Sequence, residues 1–303
     1  MIEREFTASD GKKIFYRFWQ ASMAKGMVQI VHGMAENTQR YTAFAEYMVS
    51  RGYHVFAEDH RGHGLTDDCS GYSDGDMFQK TLSDVRELGV IHKNLYPKLP
   101  LIIVGHSYGS FLTQAYLEKF GDLVDGAVVG GSAMMKGVLV TAGSVVSTLG
   151  CIFGLKKKPA KLLANMSFGS YNKKFTEGNF ISSIKEECEI YEKAWGCNFV
   201  LSYNFYKYFF KGLKTLYKKK NYTKIDVNKP LLLISGKDDP VGDMGESVLK
   251  LKEFYIKTVG VKCVETVIYD GVRHEYFNDT SRRDAFEKVA EFCDGVVVKE
   301  SSK

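Results

Sequence analysis

Apolar positions along the chain follow two rhythms. Met27–Val31, Tyr53–Ala57, Leu101–Val104, Leu123–Val129 and Leu231–Ile234 are short, largely apolar runs. Such runs predict strands buried on both faces, because a strand with one wet face would alternate apolar and polar residues. Between them, apolar residues return every three or four positions over Tyr41–Ser50, Phe78–Leu95, Phe111–Leu117, Met244–Thr258 and Ala285–Cys293. That period predicts helices, with Arg51-Gly52 and Pro97 as stop signals for the first two. Glu3–Thr7 and Lys12–Trp19 flank Asp10-Gly11 and predict a hairpin, and Lys262–Tyr269 predicts a last strand.

Repeated strand–helix units give an α/β fold, a mostly parallel sheet with helices on both faces. The rhythm stops at Ser132 and resumes at Pro230. The expected organisation is therefore a first part of the core over 1–131, a helical cap (lid) insertion over 132–226, and a second part of the core over 227–303. Ligands in such sheets bind above the carboxyl ends of the strands, and the insertion is expected to lie over that edge.

Two stretches of the insertion stand out. Val138–Leu155 carries no charge and is interrupted by Gly143, Gly150 and Gly154. It lies near the lower length limit for crossing a bilayer and reads better as an apolar helix shielding a greasy pocket. Phe199–Lys220 fits one amphipathic helix, with Phe199, Tyr206, Phe210 and Leu213 on one side and Lys207, Lys211, Lys214 and Lys218 on another. Two readings of that basic side stand together: a solvated face over an ordinary core, and a peripheral contact with anionic lipid.

Composition narrows the picture modestly. The 303 residues are 45% hydrophobic and 25% charged, the range of a soluble globular chain. A net charge of +5 suits mild attraction to anionic surfaces and argues against a nucleic-acid partner. The six cysteines show neither C-x-x-C nor metal-ligand spacing, and the charged amino terminus has no secretory core. Reduced thiols, a cytoplasmic location, no metal and no cofactor are the expectations.

The chemistry centres on Gly105-His106-Ser107-Tyr108-Gly109, which sits between a buried strand and a helix. In this G-x-S-x-G pattern the serine occupies a sharp turn that pushes its hydroxyl clear of the sheet. A serine hydroxyl needs a base. With the order Ser, acid, His that accompanies such elbows, only His274 qualifies, because the other six histidines precede Ser107. His274 in turn needs a carboxylate. Asp238 and Asp239 both follow the strand at Leu231; Asp239 is preferred because Pro240 biases it to an extended conformation, with Asp238 as the alternative. The expected oxyanion donors are the backbone N–H groups of Tyr108 and Met34, the latter in His32-Gly33-Met34-Ala35-Glu36. His32 reads as a residue that orients this loop.

These segments, with Arg40-Tyr41, Asp59-His60-Arg61-Gly62-His63-Gly64, Gly236-Lys237-Asp238-Asp239 and Arg273-His274-Glu275, resemble α/β-hydrolases of the monoacylglycerol lipase and lysophospholipase group. The resemblance implies an α/β-hydrolase fold, the triad Ser107, Asp239 and His274, Met34 and Tyr108 as oxyanion donors, and a cap carrying an acyl tunnel. It departs from the group at Asn37, where histidine is usual, and within the insertion. The expected function is a serine esterase or lipase acting on carboxylic esters, with a small-molecule ester or lipid as partner. An aminopeptidase or thioesterase on the same fold, or a non-catalytic ligand receptor, are the alternatives.

Overall fold

The computed structural model describes residues 1–301. Its eight strands are β1 (Ile2–Thr7), β2 (Lys13–Trp19), β3 (Gly26–Val31), β4 (Tyr53–Glu58), β5 (Leu101–His106), β6 (Gly126–Gly130), β7 (Leu231–Gly236) and β8 (Val264–Tyr269). They form one sheet in the order β1-β2-β4-β3-β5-β6-β7-β8. β2 pairs antiparallel with β1 and β4, and every other pairing is parallel. The hairpin turns at Gly11, whose φ of +83° suits a residue without a β-carbon.

The apolar runs are explained by two separate cores. Met27, Val31, Leu101, Ile103, Ala127, Val129, Leu231 and Leu233 face one core, built with helices Met77–Leu95, Tyr108–Phe120 and Glu246–Glu253. Val28, Ile30, Ile102, Val104, Val128, Leu232 and Ile234 face the other, against helices Thr42–Ser50 and Arg282–Ser301. Successive residues of a strand point to opposite faces, so a strand covered on both sides must be apolar at nearly every position.

Several expected boundaries move. The last helix runs over Arg282–Ser301, well beyond Cys293. Asp294 breaks its apolar pattern but anchors it: the carboxylate receives Lys25 at 2.7 Å, Arg51 at 2.9 Å and Tyr53 Oη–H at 2.6 Å. The strand expected from Leu123 begins at Gly126, after a 3-10 turn over Gly121–Leu123. Asp125 accepts the Leu101 N–H there and fixes where pairing starts. The helix expected from Met244 starts at Glu246, because Asp243 and Met244 both take positive φ.

Between β6 and β7 the chain is helical, with one isolated bridge, Pro159 to Ser202. Val138–Ile152 is one continuous helix through Gly143 and Gly150 and ends at Gly154, φ +80°. The two glycines do not break it; they admit aromatic rings from helix Tyr203–Leu213. A β-carbon on Gly143 would lie 2.3 Å from Phe210, and one on Gly150 would lie 2.2 Å from Tyr203. That second helix is shorter than expected. Ser202 caps it by accepting the Phe205 N–H, so Phe199 and Leu201 precede it in non-helical chain, and Lys219–Tyr222 forms a separate turn. No helix among the described residues is long and apolar enough to cross a membrane.

Candidate active site

Ser107 sits between β5 and helix Tyr108–Phe120 with φ +53° and ψ −117°. A non-glycine residue held there costs on the order of 1–3 kcal/mol and persists only where its surroundings enforce it. Two close approaches do so. A β-carbon on Gly105 would lie 2.4 Å from the Gly109 oxygen, and one on Gly109 would lie 1.8 Å from the Val31 oxygen. Glycine is therefore required on both sides of the serine. The Ser107 N–H donates to Gly130 O at 3.0 Å, and Ser110 Oγ–H donates to Ser107 O at 2.6 Å. These bonds lock the elbow backbone and leave the Ser107 hydroxyl uncommitted.

His274 follows β8, and its Nδ1 lies 2.9 Å from Asp239 Oδ2. Asp239 is fully buried and follows β7; its other oxygen accepts the Val241 N–H at 2.8 Å. Asp238 makes no such contact. Its N–H donates to Val272 O, a bond that ties the β7 loop to the β8 loop and turns the next carboxylate inward. Burial alone would lower the pKa of His274, but the charge and hydrogen bond of Asp239 outweigh it and hold the imidazole above its ordinary value. The segment between β6 and β7 fixes the loop, since the N–H groups of His274 and Glu275 donate to Phe180 O and Ile181 O.

The loop after β3 completes the site. A β-carbon on Gly33 would lie 3.2 Å from Ser107 Cβ, so the two backbones touch at this point. The Gly33 N–H is taken by Glu36 Oε1. Met34 follows it, and Met34, Ser107 and Tyr108 share the wall of one cavity. Tyr108 is the first residue of its helix, so its N–H has no carbonyl a turn earlier to accept it. His32 is buried and stacks on His60 at 3.7 Å. Its Nε2 accepts the His60 N–H at 2.9 Å and its Nδ1 faces Gly33 O at 2.8 Å, which makes it a neutral brace for the loop. Burial, then His60 and His63, push its pKa well down.

A buried ion network behind this loop was not apparent from the sequence. Glu36 accepts from Tyr41 Oη–H at 2.7 Å as well as from Gly33, and Arg40 bridges Glu36 to Glu275, the neighbour of His274. Burial, reinforced by Glu275, raises the pKa of Glu36. The i,i+4 spacing of Glu36 and Arg40 was the available signal; Glu275 lies far along the chain. Asn37 caps the turn at Thr38 by accepting the Gln39 N–H, and its amide donates to Trp195 O in the insertion. The loop from Asp59 to Gly64 is also structural: Asp59 accepts Thr38 and Leu65 N–H groups, and Arg61 pairs with Asp10 and Asp84. Among the described residues no cluster of His, Cys, Asp and Glu is arranged to hold a metal.

The cavity at Ser107 has a volume of about 180 Å³ and walls such as Phe111, Leu139, Leu163, Phe209 and Phe210. Most of its lining comes from the helical segment between β6 and β7. A smaller space, bounded by Gly33, Glu36, His106, Phe180 and His274, adjoins the serine.

A family model, Hydrolase_4, described as serine aminopeptidase, S33, matches residues 22–281. The chain belongs to this family. The fold of this hydrolase is the α/β-hydrolase fold. It is 24% identical over 290 residues to a monoacylglycerol lipase of Mycolicibacterium smegmatis, covering 95% of each chain. A thermostable carboxyl esterase from Bacillus coagulans, solved with glycerol, superposes with a TM-score of 0.89 at 24% identity over 98% of each chain. A soluble variant of the Saccharomyces cerevisiae monoglyceride lipase, solved with a substrate analogue, gives a TM-score of 0.74 at 22% identity over 97% of this chain and 94% of that one.

Proposed function

We propose that this hydrolase is a serine esterase acting on carboxylic esters of lipid alcohols, monoacylglycerol or lysophospholipid-like, through Ser107, His274 and Asp239. The apolar cavity that opens on Ser107 carries this reading, because it offers an acyl chain a dry path to the elbow. His274 Nε2 takes the hydroxyl proton as Oγ bonds to the ester carbonyl carbon. The carbonyl oxygen becomes an oxyanion held by the Met34 and Tyr108 N–H groups. His274 then returns the proton to the departing alcohol oxygen. Water, deprotonated by the same imidazole, attacks the acyl-enzyme; the acyl–Oγ bond breaks, His274 returns the proton to Ser107 Oγ, and the fatty acid leaves. Asp239 stabilises the imidazolium at each transfer.

The relatives named as monoacylglycerol lipases support an ester substrate. An aminopeptidase needs a free carboxylate to receive an amino terminus. Here the two glutamates that line a space with Ser107, Glu36 and Glu275, are both committed to Arg40. A fluorophosphonate should label the wild type at Ser107 and leave Ser107→Ala unlabelled. Among monoacylglycerols, acyl-CoA and prolyl amides, the first should turn over fastest. Preference for the amides would overturn the assignment.

The same reading includes a cap, formed by the insertion, that rests on lipid. Val138, Ile152 and Phe153, at the two ends of the helix that lines the cavity, are 84%, 70% and 76% exposed, and Lys156, Lys157 and Lys158 follow after Gly154 and Leu155. An apolar ridge flanked by ammonium groups suits an anionic bilayer surface. Ile152→Glu with Phe153→Glu should abolish sedimentation with anionic vesicles while hydrolysis of a short soluble ester continues. Undiminished sedimentation would remove the membrane contact.

A further inference from the structure

A second cleft lies apart from Ser107. It has a volume of about 340 Å³ and lies where the insertion meets the far ends of the two core helices. Gln79 and Glu118 form one wall, from helices Met77–Leu95 and Tyr108–Phe120. Five lysines line it: Lys119, Lys211, Lys218, Lys220 and Lys224. Two have partners within the chain, Lys211 on Asp76 at 2.8 Å and Lys119 on Gln79 Oε1 at 3.2 Å. The other three, Lys218, Lys220 and Lys224, form no ion pair among the described residues.

The two carboxyl groups of the cleft offset this charge only in part: Lys224 acts on the Glu118 carboxyl through space without forming an ion pair with it. Asp76 caps its helix by accepting the Gln79 N–H and holds Lys211. Glu118 is buried and accepts the Tyr217 N–H at 3.1 Å. The negative end of the elbow helix is likewise answered, because Lys229 Nζ–H donates to Gly121 O and Asp122 O. Ammonium groups in excess of carboxylates in one concave space repel each other and are relieved by a bound anion. The volume suits a small molecule.

We propose that this cleft binds a phosphate-bearing anion, gripped by Lys218, Lys220 and Lys224 against the core helices. The ligand would join the insertion to the helix that begins at Ser107, a place from which occupancy could steady the cap. Its source is either a free phosphorylated metabolite or a phospholipid headgroup, which share the recognised chemistry. The basic run singled out in the sequence thus divides: Lys211 and Lys218 serve the cleft, whereas Lys207 and Lys214 are not among its walls.

The test is titration calorimetry of the full chain with inorganic pyrophosphate, paired with sedimentation on phosphatidylcholine vesicles with and without phosphatidic acid. Two triple variants are compared: Lys218→Gln, Lys220→Gln, Lys224→Gln in the cleft, and Lys161→Gln, Lys173→Gln, Lys174→Gln on exposed positions elsewhere, matched in charge. Saturable pyrophosphate binding that weakens by about tenfold or more in the cleft variant alone supports a free anion. Binding seen only with phosphatidic acid vesicles, and lost in the cleft variant alone, supports a lipid headgroup. No saturable binding in either arm, or equal loss in both variants, overturns the proposal. Neither result depends on turnover at Ser107.

Discussion

Replacing Asp239 by asparagine probes the electrostatics of the site, and the protein supplies its own reference. His63 is buried as His274 is, but its ring has no carboxylate, and burial pushes its pKa down to about 3. His274, beside Asp239, stands above the ordinary 6.5. If the asparagine variant leaves His274 in the condition of His63, the fall from 6.5 to about 3 is roughly 3.5 pH units. At 1.36 kcal/mol per unit that is about 5 kcal/mol of imidazolium stabilisation; a starting point above 6.5 adds to it, and an amide oxygen that still accepts from Nδ1–H subtracts from it. In the proposed mechanism the transition state contains that imidazolium, so kcat/KM should fall about 10³- to 10⁴-fold. The assay is hydrolysis of a short nitrophenyl ester across pH 5 to 9 by wild type, Asp239→Asn and Asp238→Asn. In the wild type the base must be neutral, so kcat/KM should rise as pH passes the raised His274 value. Asp238→Asn should stay within about twofold of wild type, because a partly exposed turn carboxylate contributes little. A tenfold or smaller loss in Asp239→Asn, or an equal loss in Asp238→Asn, would refute the reasoning.

Two further outcomes follow from packing and burial. Gly109→Ala should destabilise the fold by about 3 kcal/mol or more and abolish labelling at Ser107, because its new methyl group meets the Val31 carbonyl, which is backbone and cannot swing aside; chemical denaturation with and without a fluorophosphonate measures both. Glu118 is buried and its pKa is pushed up from 4.5 to about 7, so the folded state holds a proton that the unfolded state releases. Wild-type stability should therefore decline as pH rises from about 4.5 to 7, by up to about 3 kcal/mol. Glu118→Gln, which keeps an acceptor for the Tyr217 N–H, should abolish that decline; urea melts at pH 5 and pH 8 distinguish the two, and parallel pH dependence in both proteins would show that Glu118 is not the source.

The sequence by itself determined the parallel sheet and the elbow. β3, β5, β6 and β7 are apolar at almost every position, and only burial on both faces selects that pattern, so their existence is written locally. The elbow is equally local, because a serine at positive φ between two helix- and strand-crowded positions admits glycine alone on either side. Tertiary structure decided the rest. The last helix continues past Cys293 because Asp294 finds Lys25, Arg51 and Tyr53 on other elements. Helix Val138–Ile152 tolerates its glycines because the rings of Phe210 and Tyr203 need the space. Glu36, Arg40 and Glu275 meet only once β3 and β8 are placed in the sheet. The choice between Asp238 and Asp239 at His274 depends likewise on the bond from Asp238 N–H to Val272 O. Residue spacing records which face of an element is buried; which distant charge or ring lies against that face is a property of the folded chain.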